Sequence, residues 1–110
     1  MTAFQDSGDQ RVDASVLRTA FNQGQFYERL SVGQLYARVH PNSIHLSRRL
    51  ARARGEPRCT RSQMVSYYEL SGLKVAVVHL YRRRDGTIGA SGRPDPKWLR
   101  VHDRILWTTD

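Results

Sequence analysis

His79 stands two residues before Tyr81 and three before the run Arg82-Arg83-Arg84. An imidazole accepts and returns a proton near neutral pH without a large shift of its pKa. Guanidinium groups hold phosphate oxygens bidentately and stabilise the extra negative charge of a phosphoryl transition state. His79, with His102 and Lys97 as further candidates, is therefore the set that metal-independent phosphodiester cleavage would use. Spacing counts against a direct pairing with the arginines. Three residues of strand span about 10 Å and put Arg82 on the opposite face, while Arg83 shares the face of His79 but lies about 13 Å along it.

The same arginines suit simple binding. Of 18 Lys and Arg residues only Lys74 and Lys97 are lysines, and the chain carries a net charge of +8. The excess starts at residue 41. Residues 41–62 hold six arginines against one acid, Glu56. Wound as a helix, His45, Arg48, Arg49 and Arg52 share one arc, with Leu46, Leu50 and Ala53 beside it. Between Val39 and Gly55 there is no acid to pair with them, so the stripe fits a nucleic-acid backbone better than an ordinary mixed-sign solvated face. A second group is Arg82, Arg83 and Arg84. A third is the segment Asp85 to Lys97, whose glycines 86, 89 and 92 let Arg93, Lys97 and backbone amides form an anion nest. It lacks the Lys-Ser/Thr ending of a phosphate loop and the spacing of a dinucleotide fingerprint. Tyr67, Tyr68, Tyr81, Trp98 and Trp107 interleave with these cations. Bases stack on exposed aromatics, but a core this small is expected to claim most of them and leave at most two outside.

Other chemistry is excluded by composition. Cys59 is the only cysteine, so neither an internal disulfide nor a multi-cysteine zinc site is available. His40 and His45 are separated by Pro41, which breaks a shared helical face. No metal and no cofactor is called for. The longest apolar run is Val75 to Val78, far short of the roughly 18 residues of a membrane span. Residues 1–13 lack the basic-then-apolar order of a signal peptide. A cytoplasmic setting is expected.

The elements that must position these residues fall into two halves. Residues 1–10 read as a loose tail. Val12, Val16, Leu17, Ala20 and Phe21 recur at helical spacing, with Asp13 as cap and Gly24 as an end or interruption before Phe26, Tyr27 and Leu30. Ser31 and Gln34 have capping-box spacing for a short second helix ending at Pro41. A third runs from Ile44 to about Arg54, stopped by Gly55. Strands follow: Gln63 to Glu69, Leu73 to Arg82, a tight turn at Asp85-Gly86, Thr87 to Ser91, then a rigid loop at Gly92 to Pro96. A last hairpin joins Trp98–His102 to Ile105–Thr108. This predicts one α+β domain over 11–110, helical over 11–55 and sheet over 61–109, with two or three helices on a four- to five-stranded antiparallel sheet.

Two stretches carry a resemblance: Arg61 to Tyr67, and Val75 to Tyr81 followed by Asp85-Gly86-Thr87-Ile88-Gly89-Ala90-Ser91-Gly92-Arg93-Pro94-Asp95-Pro96-Lys97. Over about residues 57–107 the chain resembles a family of small bacterial and phage proteins bearing a DGTxGxSGxPDPK signature, a domain of unknown function. The resemblance implies a shared fold and no activity. By architecture alone, the helices-then-sheet order is also similar to that of small ribonuclease toxins.

The residues together point to a small basic protein that binds nucleic acid, DNA or RNA, mainly through backbone phosphates. The binding residues are Arg48, Arg49, Arg52, Arg82, Arg83, Arg84, Arg93 and Lys97. The alternatives are a metal-independent endoribonuclease of toxin type, and a phage or host-defence interaction module with an acidic protein partner. Whether it is an enzyme, and its oligomeric state, stay open at this level.

Overall fold

The densest run of β-branched and aromatic residues builds the centre of the molecule. In a computed structural model, which describes residues 9–110, Arg61–Glu69 (β4) and Lys74–Arg82 (β5) form two nine-residue strands. They pair antiparallel, from Arg61 opposite Arg82 to Tyr68 opposite Lys74, with a bulge at Tyr67/Tyr68. Around them lie Asp9–Arg11 (β1), Leu35–Val39 (β2), Ile44–His45 (β3), Asp95–Val101 (β6) and Arg104–Trp107 (β7). The sheet order is β1-β7-β6-β5-β4-β2, and β3 also pairs with β4. The helices are Ala14–Gln23 (α1), Phe26–Ser31 (α2) and Arg48–Ala53 (α3).

Alternation sorts the side chains. Val65, Tyr67, Ala76, Val78, Leu80 and Leu99 take one face, where Leu17 and Phe21 of α1 and Phe26 of α2 close over them to make the core. Phe21 stacks on Phe26 at 5.6 Å and tilts against Tyr67 at 6.1 Å. Burying such side chains stabilises the fold by about 1.5–3 kcal/mol each. The partners on the other face are Tyr36 with Tyr68, Val77 with Trp98, and Trp98 with Trp107.

The α+β class holds, but the expected helical stretch 11–55 also contains β2 and β3 and the end of β1, interleaved with the three helices. The sheet differs from expectation in size and sense: seven strands among the described residues, and mixed, because β1 runs parallel to β7. Of the expected loose tail, residues 1–8 lie outside the described residues, whereas Asp9 and Gln10 belong to β1. The expected second helix is the edge strand β2, paired with β4 from Leu35–Glu69 to Val39–Val65. Leu35, Tyr36 and Val39 fit a helical face and a strand equally well over so few residues, and the open edge of β4 decides. The third helix is shorter than expected. It begins only at Arg48, capped by Ser47 Oγ accepting from the Leu50 amide at 3.1 Å, while Ile44 and His45 pair with Ser62 and Arg61. His45 therefore leaves the arginine stripe. The expected strand Thr87–Ser91 is reduced to one bridge, Ile88 with Arg82. Asp95 and Pro96, read as rigid loop, open β6 instead. Pro96 is accommodated beside a register shift at Val77/Val78, where a strand tolerates a missing donor.

Candidate nucleic-acid interface

The face opposite the helices is paved with aromatic rings and cations. Of the five aromatics singled out in the sequence, only Tyr67 is fully buried; Tyr68, Tyr81, Trp98 and Trp107 stay partly exposed. None of the five is fully exposed, in line with the expectation of at most two exposed rings, and the described helices α1 and α2 cover the opposite face. Tyr36 and Tyr68 stack at 5.2 Å. Lys74 Nζ sits 5.0 Å and Arg100 Cζ 5.5 Å from the Trp98 ring centre. Arg11 lies 5.9 Å over Trp107 and Arg54 5.9 Å over Tyr81. Such contacts hold a cation beside an aromatic face with a strength of about 0.5–1 kcal/mol at exposed sites. From β7 to β2 the face crosses four strand spacings, about 19 Å.

Where β5 finishes and β6 starts lies a cleft of about 1000 Å³, lined by side chains of this face and by Arg18, Phe21 and Asn22 of α1. His79 and Tyr81 of β5, Lys97 and Asp95 of β6, Arg18 of α1 and Ser91 of the preceding loop line it. Asp95 is the cross-strand partner of His79. Its carboxylate bridges Lys97 Nζ at 3.0 Å and Arg18 Nη1 at 3.8 Å. Lys97 also donates to the Asp110 carbonyl. His79 Nε2 lies 2.7 Å from Ser62 Oγ, and its ring meets Tyr81 edge-on at 4.9 Å. Burial, helped by the charge of Lys97, pushes the His79 pKa down, so the imidazole is neutral at pH 7. The segment Asp85–Lys97, read in sequence as an anion nest, supplies much of this cleft wall, from Gly89 to Lys97.

The arginines are less uniform in their surroundings than in their chemistry. Arg48, Arg49 and Arg52 are exposed on α3. Arg84 is exposed, whereas Arg82 donates to the Gly86 carbonyl at 2.8 Å. Arg83 is engaged internally by the buried carboxylate of Glu56 at 2.9 Å, whose other oxygen accepts from the Ala90 amide at 2.7 Å. Arg93 pairs with Glu28 at 3.1 Å, reaches Asn22 at 3.2 Å and lies over Tyr27. The Glu56–Arg83 pair and the Arg54–Tyr81 contact bring the α3 segment and the end of β5 to the same end of the molecule. His102 is not brought to His79. It sits exposed in the β6–β7 turn, at the end of β6 opposite to Asp95.

Reasoning from sequence missed Lys74, Arg100, Arg54 and Arg11 as the cations next to the rings, and Ser62 and Asp95 as neighbours of His79. Strand alternation carried part of that signal. The register that puts Asp95 opposite His79 depends on a bulge that local sequence does not announce. The described residues contain no cluster of three His, Cys, Asp or Glu side chains able to hold a metal, and no helix long and apolar enough to cross a membrane. The chain matches no family model, no curated protein and no solved structure.

Proposed function

We propose that this protein binds single-stranded nucleic acid across the open face of its sheet, bases stacking on the aromatic rings and phosphates meeting the interleaved cations. The observation that carries the reading is the alternation on that face: Trp98 between Lys74 and Arg100, and Trp107 beneath Arg11. Base–aromatic stacking contributes about 1–3 kcal/mol per base and tolerates any sequence. A duplex buries its base faces and cannot use such a surface, so a single strand is the better fit than the backbone-only contact inferred from charge. A base arriving on Trp98 displaces one cation from the ring, and that cation reaches the adjoining phosphate. The exposed Arg48, Arg49 and Arg52 extend the positive field beyond the stacking track and assist capture.

The test uses the intrinsic fluorescence of Trp98 and Trp107. Titration with a short single-stranded oligonucleotide should quench it, while the matching duplex binds at least tenfold more weakly. Trp98→Ala should lower affinity roughly 5- to 100-fold, the equivalent of one lost stack. Equal affinity for duplex and single strand, with Trp98→Ala unchanged, would return the protein to a backbone-only binder.

A further inference from the structure

We propose that the cleft where β5 ends and β6 begins cleaves bound RNA without a metal, with His79 as the base that takes the 2′-hydroxyl proton and Lys97 as the cation that steadies the charged phosphate. The proposal rests on the single-strand reading above and adds a reaction to it. His79 lies two residues along β5 from Val77, roughly 7 Å, and Val77 pairs with Trp98. A strand stacked on Trp98 therefore has its next phosphodiester beside the cleft.

Each wall has a part in the step. In the proposed step Nε2–H donates to Ser62 Oγ, 2.7 Å away, and the lone pair of Nδ1 accepts the proton. Ser62 is a positioning residue that orients the ring from β4. Lys97 and Arg18 converge on one carboxylate, Asp95, which holds both cations at the cleft. The 2′-oxygen attacks the adjacent phosphorus as its proton passes to His79, and the P–O5′ bond breaks. The departing O5′ takes a proton from solvent, and His79 returns its own to solvent. The products are a 2′,3′-cyclic phosphate and a 5′-hydroxyl, with no oxidant, reductant or net proton required. Positioned acid–base catalysis and fixed charge each contribute factors of about 10²–10³ to such steps.

The groups facing His79 set its pH response. Burial and the charges of Lys97 on β6 and Arg54 after α3 favour the neutral ring, and Asp95 opposes them; Ser62 and Tyr81 are its uncharged neighbours. The base stays unprotonated below the ordinary histidine value of 6.5, so the acid limb of the rate profile should fall below pH 6.5.

The experiment incubates the full chain, in EDTA, with an end-labelled single-stranded RNA, the same sequence in DNA, and the same sequence as 2′-O-methyl RNA. Cleavage of RNA alone, ending in cyclic phosphate, is expected. His79→Gln and Lys97→Met should each lose about a hundredfold in rate, with wild-type circular dichroism certifying that both fold, and His79→Gln should bind 2′-O-methyl RNA within threefold of wild type. Ser62→Ala should shift the acid limb more than it shifts affinity. Wild type that binds 2′-O-methyl RNA but leaves RNA intact overturns the cleavage proposal and spares the binding one. Undiminished cleavage by His79→Gln overturns the assignment of the base. Failure to bind any single strand overturns both readings.

Discussion

Glu56 shows how one residue ties the basic end of the molecule together. Its buried carboxylate accepts from Arg83 and from the Ala90 amide, and those bonds hold its pKa below the usual 4.5. A lowered carboxylate stabilises the fold fully above about pH 4.5 and loses that contribution as pH falls through the folded value. Acid unfolding followed by circular dichroism should therefore be shallower in Glu56→Gln than in wild type between pH 5 and the folded value. Gly89 offers a second probe of the same spot, since a Cβ there would collide with the Glu56 carboxylate. Gly89→Ala should destabilise by roughly 1–3 kcal/mol in urea titration, as overpacked sites do. At this scale the sequence was a partial guide. It marked Arg83 as a phosphate ligand because three adjacent arginines look unneutralised, yet Glu56 lies 27 residues away and reaches it only through the fold.

Elements were legible where their pattern was long and ambiguous where it was short. The nine residues of β5 carry enough β-branched side chains to declare a strand, and α1 enough helical repeats to declare a helix. Five residues of β2 do not separate the two periods. Nor did β5 itself reveal how its faces differ: Val78 is completely buried against the helices, while Val77 faces the open side beside Trp98 and is only partly buried. Val78→Ala should consequently cost about 1–3 kcal/mol, a lost transfer term plus a cavity, and Val77→Ala distinctly less. Equal losses would mean that something covers the aromatic face. Of the candidate site, the histidine, Lys97 and two tryptophans could be named from sequence alone. Their convergence could not, because it follows from strand order and from two bulges.

For the whole molecule, the question is how charge and stacking would divide the work in the proposed binding mode. In that proposal the exposed α3 arginines act through long-range field and phosphate contact, whereas the rings act through contact only. Changing Arg48, Arg49 and Arg52 together to Gln should flatten the slope of log K against log salt by about 2–3, as each lost phosphate contact removes roughly 0.7–0.9. Trp98→Ala should leave that slope unchanged while lowering affinity at every salt concentration. A triple variant with an unaltered slope would place α3 outside the bound strand's path.

The parallel strand β1 sets an order on how the chain must assemble. Its ladder joins Asp9–Arg11 to Ile105–Trp107, and the Val12 amide donates to the Trp107 carbonyl at 2.9 Å. Closing so long a loop directly is entropically dearer than closing any hairpin turn in the sheet, by about 0.6 kcal/mol for each doubling of length. Docking α1 on β6 first removes most of that cost, because β1 lies just ahead of α1. Folding should therefore run from the β4–β5–β6–β7 meander, through α1 docking, to β1 last. In pulsed hydrogen exchange during refolding, the amide of Val12 should gain protection after those of β5, and in the native state it should be among the first to open.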